Sequence, residues 1–386
     1  MMKSRLIRWQ IILFLISASL LDSCSVLPTA ATPSPVATMA ATSTPVNTLP
    51  TPTENTPAIP VTNTPVSAPP ISVSNFQGLA SLYQWNLASD IIKITGTALS
   101  PLGDKVALLT VRYPEQYSLE LRDSKTGNLI WTQTLDAKAD YPAVAFSPDG
   151  SLIAVGTGTS NITVWNVSDG SVSKLLKGAS YAVRALAFSP DGNLIAAAGS
   201  DSMVHVWQVS DGTVRITYAL KKNIGNLIFS PDSRYLATSS DVFAVYDLTS
   251  ASNSPVIYYD ALAPHPTTEI RFSFDSHYLI AEGELDDAGH NTWIPRILIW
   301  NLSSNHNTFR KIPLPNVIQN MIVLPDGQSI LGYDASNAQL DLIDVPGKSV
   351  AMTINLGPIL FMNYSANLSQ FMAVTKTSVE IWGVPQ

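Results

Sequence analysis

Apolar and polar residues alternate in short runs between Ala182 and Trp207, and this alternation predicts three consecutive β-strands. The first two runs, rich in branched and aromatic residues, flank Ser189-Pro190-Asp191-Gly192. Proline fixes φ at the first corner of such a turn, and Asp-Gly tolerates the backbone angles of the remaining turn positions. The stretch therefore predicts a strand, a turn and a second strand. A third run follows Gly199-Ser200-Asp201 and ends in Trp207.

The same pattern recurs from about Phe76 to Gln386. The position of the turn serine returns at intervals of 41 to 51 residues, at Ser100, Ser147, Ser189, Ser230, Ser273, Leu324 and Ser365. Repeats of about 40–45 residues with four short strands are typical of β-propeller blades. The third strands of the copies are predicted at 119–123, 162–166, 204–208, 243–247, 297–301, 340–344 and 379–383.

The last copy ends just after its third strand, at Gln386, and therefore lacks an outer strand. An additional strand is predicted upstream of the first copy, from Leu79 to Leu87. Pairing of this segment with the last copy closes the ring and removes the exposed edge of an open array. We therefore predict an all-β fold over 75–386: a seven-bladed propeller of four-stranded antiparallel blades, closed by an N-terminal strand on the last blade.

Two of the copies carry a resemblance to a known family. Ser147-Pro148-Asp149-Gly150 and Ser189-Pro190-Asp191-Gly192 are each followed, at a matching distance, by a strand that ends in Trp165 or Trp207. In this respect the chain resembles WD-repeat β-propellers over about four-fifths of its length. No copy contains Trp-Asp itself, and only Asp201 and Trp207 match the buried His–Asp–Ser–Trp relay of the family. Blade packing is therefore expected to depend mainly on apolar burial, at about 25 cal/mol per Å².

Residues 1–24 predict an export signal, because three basic residues precede an apolar run from Ile11 to Leu21. This run is shorter than the roughly 20 residues of a membrane-spanning helix. Leu21-Asp22-Ser23-Cys24 resembles the cleavage box of bacterial lipoproteins, although Asp22 stands where that pattern has a small or apolar residue. The resemblance implies a lipid on Cys24 and a membrane-anchored, extracytoplasmic protein of a bacterium. An ordinary secretory signal or an uncleaved anchor is the alternative.

Residues 25–74 differ in composition from the rest of the chain. They hold eleven of the 27 prolines and one charged residue, Glu54. Such proline-rich chains favour extended polyproline II and form neither helices nor strand ladders. We predict a disordered Thr/Pro-rich stalk that lifts the propeller off a membrane, with a featureless linker as the alternative.

Composition excludes several classes of function. Only 13% of the 386 residues are charged and the formal net charge is −7, which argues against nucleic-acid binding through phosphate neutralisation. The single cysteine excludes an internal disulfide and any multi-cysteine metal site.

No catalytic constellation is visible in the sequence, and we predict no catalytic residue, metal or cofactor. The five histidines lie in different parts of the repeat region, and no nucleophile elbow, zinc-binding helix pair or phosphate loop occurs. His205 alternates with Val204 and Val206 in a predicted strand, so we interpret it as a structural residue.

Two further stretches have a functional and a structural interpretation. Residues 282–291 are rich in acidic and amide side chains, as Ca²⁺ sites are, but they match no calcium loop and are interpreted as a solvated insertion. Asp123 to Trp131 resembles the repeat of quinone-dependent dehydrogenase propellers, which those enzymes repeat around the ring. Here it occurs once, and we interpret Trp131 as a seal between two blades.

In WD-repeat propellers, the loops that enter the first strand and those that join the second and third strands share one face around the channel. The resemblance places Asp140, Lys221, Lys222, His265 and an insertion at 284–294 on this face. Tyr, Trp and Arg are enriched in interface anchors. The predicted partner-binding residues are Arg112, Tyr113, Tyr117, Tyr141, Tyr181, Arg184 and Trp293.

We therefore expect a monomeric, membrane-tethered scaffold whose channel face binds a protein or peptide. An exported propeller enzyme, either a hydrolase or a cofactor-dependent oxidoreductase, is the alternative that uses the same channel. A propeller serving a larger envelope assembly is a third possibility, and the alternative for each residue named is an ordinary exposed loop residue.

Overall fold

A computed structural model describes residues 69–385 except 136–142, 157, 159–160, 179–181, 220–223, 241, 251, 253, 261–269, 287–292, 303–308, 314–317 and 348. Within these residues the chain forms 28 β-strands and one short 3₁₀ helix, Phe76–Gly78. None of the helical structure in this part is long and apolar enough to cross a membrane.

The strands form seven four-stranded antiparallel sheets, which are the seven predicted blades. β1 (Ala80–Asn86) precedes the first complete blade. Blade 1 contains β2 (Ile91–Leu99), β3 (Lys105–Arg112), β4 (Gln116–Asp123) and β5 (Leu129–Leu135). Blade 2 contains β6 (Ala143–Phe146), β7 (Leu152–Gly156), β8 (Asn161–Asn166) and β9 (Val172–Lys177). Blade 3 contains β10 (Val183–Phe188), β11 (Leu194–Gly199), β12 (Met203–Gln208) and β13 (Val214–Ala219).

The remaining blades follow the same order. Blade 4 contains β14 (Ile224–Phe229), β15 (Tyr235–Ser240), β16 (Val242–Asp247) and β17 (Ile257–Asp260). Blade 5 contains β18 (Ile270–Phe272), β19 (Tyr278–Asp286), β20 (Trp293–Asn301) and β21 (Phe309–Pro313). Blade 6 contains β22 (Ile318–Val323), β23 (Ser329–Asp334), β24 (Gln339–Asp344) and β25 (Ser349–Asn355). Blade 7 contains β26 (Phe361–Tyr364), β27 (Gln370–Val374), β28 (Ser378–Gly383) and β1.

The repeated serine organises the turn between the first and second strands of a blade. In blade 3, the hydroxyl oxygen of Ser189 accepts a hydrogen bond from the backbone N–H of Leu194 at 2.8 Å. Asp191 accepts the N–H of Asn193 at 3.0 Å, and Gly192 supplies the positive φ of 73° that ends the turn. Leu324 has no hydroxyl, and in blade 6 the carboxylate of Asp326 takes over by accepting the N–H of Ser329 at 2.8 Å.

The predicted ring closure is confirmed. β1 pairs antiparallel with β28, from Ala80 opposite Gly383 to Asn86 opposite Ser378. Trp85 of β1 also reaches blade 1, where its indole N–H donates to the carbonyl oxygen of Ser124 at 3.0 Å. The closing strand therefore completes blade 7 and contacts the next blade around the ring.

Tryptophan side chains hold neighbouring blades together through bonds to backbone carbonyls and not through the family relay, whereas His205 bonds within its own blade. Trp131 donates to the carbonyl of Val167 in blade 2 at 2.8 Å, which confirms its predicted role as a seal. Trp207 donates to the carbonyl of Lys177 at 2.8 Å. His205 is 8% exposed and lies 3.2 Å from the hydroxyl of Thr217, which confirms a structural histidine.

Two boundaries differ from the sequence interpretation. Ile71, which the sequence assigned to the stalk, is 1% exposed and packs with Phe76 against blades 6 and 7, so the propeller core begins before residue 75. The backbone of Glu282–Asp286, interpreted as part of a loop, continues β19 and pairs with β20 as far as Asp286 opposite Trp293. The hairpin is longer than the sequence interpretation because β19 and β20 pair without a register shift along their whole length.

Candidate functional site

The innermost strands of all seven blades surround a central channel with a cavity of about 440 Å³. We call the face that carries the loops between second and third strands the channel face. The face that carries the turns between first and second strands is the opposite face. The lining residues are Thr95, Gly96, Thr97, Ala143, Val144, Arg184, Ala185, Leu186, Asn226, Leu227, Arg271, Asn320, Leu360, Phe361, Met362 and Asn363.

β-Bulges bring several polar side chains to this lining. The pairing of the innermost strand shifts between Ile94 and Gly96 in blade 1 and between Val183 and Ala185 in blade 3. The residues inside these shifts are Thr95 and Arg184, and both line the channel. A bulge leaves an extra residue unpaired and re-aims its side chain. In blade 6 the shift between Gln319 and Ile322 includes Asn320, another lining residue.

Arg184 and Arg271 are the only charged residues among the described residues that line the channel. Arg184 is exposed, whereas Arg271 is half-buried. The guanidinium of Arg271 donates a hydrogen bond of 2.8 Å to the backbone carbonyl oxygen of Ile270. The neutral lining includes a bond from the amide of Asn363 to the hydroxyl of Thr97 at 2.7 Å. The described part of the channel lining is therefore polar, and its charged side chains are these two arginines.

A second cavity of about 420 Å³ lies beside the channel on blade 1. Tyr113 stands at its rim with 85% of its surface exposed, and Tyr117 is half-buried in its wall. Ile92, 62% exposed, adds an apolar contact surface. Thr95 lines both cavities, so the channel and this tyrosine pocket form one continuous surface.

A buried ion-pair network lies in blade 1, next to the tyrosine pocket. Glu120 is 1% exposed and accepts hydrogen bonds from Arg122 at 2.8 Å, from the hydroxyl of Thr110 at 3.0 Å and from Arg112. Arg112 also contacts the carboxylate of Asp90 at 2.8 Å. Burial alone would raise the pKa of Glu120, but the bonds from both arginines outweigh it and hold that pKa below its ordinary value.

Blade 6 carries a second buried carboxyl group with different surroundings. Asp341 is 1% exposed and accepts a bond from the amide of Gln339 at 2.9 Å, and its other oxygen has no hydrogen-bond partner among the described residues. Burial and the nearby Asp334 carboxylate raise the pKa of Asp341 to about 6. No group of three or more His, Cys, Asp or Glu residues in the described part of the chain could hold a metal ion.

The structure brings three of the predicted partner-binding residues to the continuous surface: Tyr113, Tyr117 and Arg184. Arg112 lies in the same blade, with its guanidinium engaged by Asp90 and Glu120. Trp293 begins β20, but its side chain is outside the described residues.

Tyr141, Tyr181, Cys24 and the end of the acidic stretch, 287–291, also lie outside the described residues, and no side chain of 282–291 is described. The ion-site interpretation of that stretch therefore stays a prediction, as do lipidation of Cys24 and the roles of the two tyrosines.

Sequence reasoning missed Arg271 and the ring of Thr and Asn residues. Their common signal is a polar residue two to five positions before the turn serine, as in Arg271 before Ser273 and Asn226 before Ser230. Such residues interrupt an apolar innermost strand, and this interruption marks a side chain that faces the channel.

Comparisons with known proteins agree with the repeat pattern. The family model described as the anaphase-promoting complex subunit 4 WD40 domain matches residues 144–232. This range runs from the first strand of blade 2 to the turn of blade 4. A search of curated proteins finds no match.

Proposed function

The chain is a WD-repeat β-propeller, a class that generally serves as a protein-interaction scaffold, and we propose that it binds a protein or peptide on its channel face. One observation carries this proposal: the channel and the tyrosine pocket meet at Thr95 beneath an exposed Tyr113. Exposed tyrosine beside a cavity is typical of an interface anchor, because it supplies a large contact area with little conformational entropy.

We further propose that the propeller is an extracytoplasmic scaffold tethered to a bacterial membrane through a lipid on Cys24. The entry of the chain into the ring supports this arrangement. Ile71 donates its backbone N–H to the carbonyl of Leu368, in a turn of the opposite face, at 2.8 Å. β1 starts beside Gly383 on that same side and ends near the channel face. The described chain therefore enters the ring at the opposite face, and this entry leaves the channel face open to a partner.

Partner capture from membranes tests the binding proposal. The full chain and its Tyr113→Ala variant are used as baits, with Phe274→Ala as the matched control. Phe274 is 61% exposed and lies in a turn of the opposite face. We expect a partner that the wild type and Phe274→Ala both retain and that Tyr113→Ala loses by about tenfold or more, as for an interface hot spot. Equal capture by all three baits would contradict the proposal.

Mass spectrometry of the mature N-terminus tests the tether. We expect a chain that begins at a lipid-modified Cys24, and a Cys24→Ser variant that leaves the membrane fraction. A lipid-modified protein is held on the membrane because the methylene groups of its acyl chains are buried in the bilayer. A variant without the lipid should therefore lose stable anchoring. An unmodified Cys24 in the mature protein, or a chain that still starts at Met1, would refute it.

A further inference from the structure

The charge of the channel differs from the charge of the whole chain. The protein carries 29 acidic and 22 basic residues, so its formal net charge is −7. The described residues that line the channel nevertheless include two arginines and no lysine, aspartate or glutamate. Among the described residues the lining thus carries two positive side chains and no negative one, a balance that favours anions over cations.

The two arginines lie at different depths. Arg184 precedes the turn serine of its blade by five residues and Arg271 precedes its own by two. Arg271 pairs with Ile280, seven residues after its turn serine, whereas the bulged Arg184 lies between the partners Ala198 and Gly199, nine and ten residues after its own. A strand rises about 3.3 Å per residue, so the two α-carbons are separated by about 8 Å along the channel. They stand on blades 3 and 5, with the innermost strand of blade 4 between them. This spacing suits an elongated ligand with two negative groups better than a single small ion.

The neutral lining suits a peptide. Thr95, Thr97, Asn226, Asn320 and Asn363 offer hydroxyl and amide groups, which can bond to the N–H and C=O groups of an extended chain. A guanidinium carries five N–H donors and can bind a carboxylate while it keeps bonds to its own protein. A cavity of about 440 Å³ lies within the range of small-ligand sites, so it admits a short segment and not a folded domain.

We propose that the channel receives an acidic peptide segment of the partner, with two carboxylates spaced two to four residues apart that contact Arg184 and Arg271. This inference rests on the proposed function, because it specifies the partner of the same surface. The tyrosine pocket would then hold a flanking part of the same partner.

Binding of defined peptides tests the inference. The probe is the capped peptide Glu-Ala-Ala-Glu-Ala-Ala-Glu, and the comparison peptide has glutamine in place of each glutamate. Affinity for the full chain, purified in detergent, is measured by calorimetry at 50 and 300 mM salt. We expect the acidic peptide to bind at least tenfold more tightly than the glutamine peptide and to weaken with salt, because the contacts are charged.

Arginine variants locate the site. We expect Arg184→Gln and Arg271→Gln each to weaken the acidic peptide about tenfold or more. Arg215→Gln, an exposed arginine on the outer strand of blade 3, removes the same charge outside the channel and should leave the affinity unchanged. If Arg271→Gln lowers the melting temperature, Arg271→Lys is used in its place. Lysine keeps the positive charge but lacks the planar donor fork of arginine. Arg271→Lys should therefore weaken binding less than Arg271→Gln.

Each outcome decides the inference separately from the proposed function. Equal binding of both peptides, no binding at 1 mM, or an equal loss with Arg215→Gln would overturn the acidic-peptide inference. Partner capture that still depends on Tyr113 would then leave the binding function in place. Peptide binding without a captured partner would instead contradict the proposed function.

Discussion

Blades 1 and 6 place a carboxyl group at the same position of the repeat and treat it in opposite ways. Glu120 and Asp341 each stand three residues before the end of their third strand, and each is 1% exposed. Two arginines surround Glu120, and its pKa is lowered. Asp341 has one amide donor and a carboxylate neighbour, and its pKa is raised to about 6. The repeat thus tolerates a buried acid when it is either paired or able to stay protonated.

The largest expected effect is that of removing a partner of Glu120. Arg122→Met leaves the buried carboxylate with one arginine and also removes the bond to the carbonyl of Gly127, which is 2.7 Å long. Breaking a buried ion pair on one side destabilises by about 3 kcal/mol. We expect a loss of that size in the free energy of unfolding in urea at pH 7.5. The double variant Glu120→Gln/Arg122→Met should recover part of the loss, and simple additivity would show that Glu120 is not the reason for it.

The next effect has the opposite sign. Asp341→Asn keeps an acceptor for Gln339 and removes a charge that is buried beside Asp334, so we expect the protein to gain about 1–3 kcal/mol at pH 7.5. Asp344→Asn, a half-buried residue at the end of the same strand, is the control and should give no gain. Thermal and urea unfolding measure both. A destabilised Asp341→Asn variant would show that the ionised form is the one the fold requires.

The pH dependence of unfolding separates the two carboxyl groups. The pKa of Asp341 is raised above its ordinary 3.8 to about 6, so its contribution to stability is complete below pH 3.8 and is lost as pH rises through 6. The advantage of Asp341→Asn over the wild type should therefore grow between pH 4 and 6 and level off above 7. Glu120 has a lowered pKa, so its contribution is complete above pH 4.5 and is lost in acid. Parallel profiles for Asp341→Asn and Glu120→Gln would contradict the comparison.

The smallest expected effect concerns the single donor of Asp341. Gln339→Leu removes its hydrogen bond, and we expect a loss of about 1 kcal/mol at pH 7.5. At pH 4.5 the carboxyl group is protonated and the bond is no longer charge-assisted, so the loss should be smaller. An equal loss at both pH values would indicate that Gln339 acts by packing alone.

The architecture could be predicted because its determinants are local. Each turn serine bonds within five residues of itself, and most third strands end in an aromatic or apolar residue followed by a polar one, as at Trp165-Asn166. Ring closure followed from counting strands: a last copy without an outer strand and an unassigned strand at Leu79–Leu87 fit only each other.

The site could be predicted only in part, because its determinants are not local. Asn320, which the sequence did not single out, lies in a β-bulge of the channel lining, and a bulge cannot be located from the alternation of polar and apolar residues. Whether the guanidinium of Arg112 is available to a partner depends on Asp90 and Glu120, which lie 22 residues before it and 8 residues after it. The sequence predicted that Arg112 lies near the binding surface. It did not predict the ion pairs that engage its guanidinium group.

The position of β1 has a mechanical consequence. β1 is antiparallel to β28 and begins at the side from which the chain enters the ring. A pull on the chain from this side runs along the strand axis and loads the hydrogen bonds between β1 and β28 together in shear, instead of opening them one after another. Ile71 and Phe76 lie before the strand and must leave their apolar contacts first. We therefore expect the strand that closes the ring to resist force well, and its loss to release the last blade in a single step.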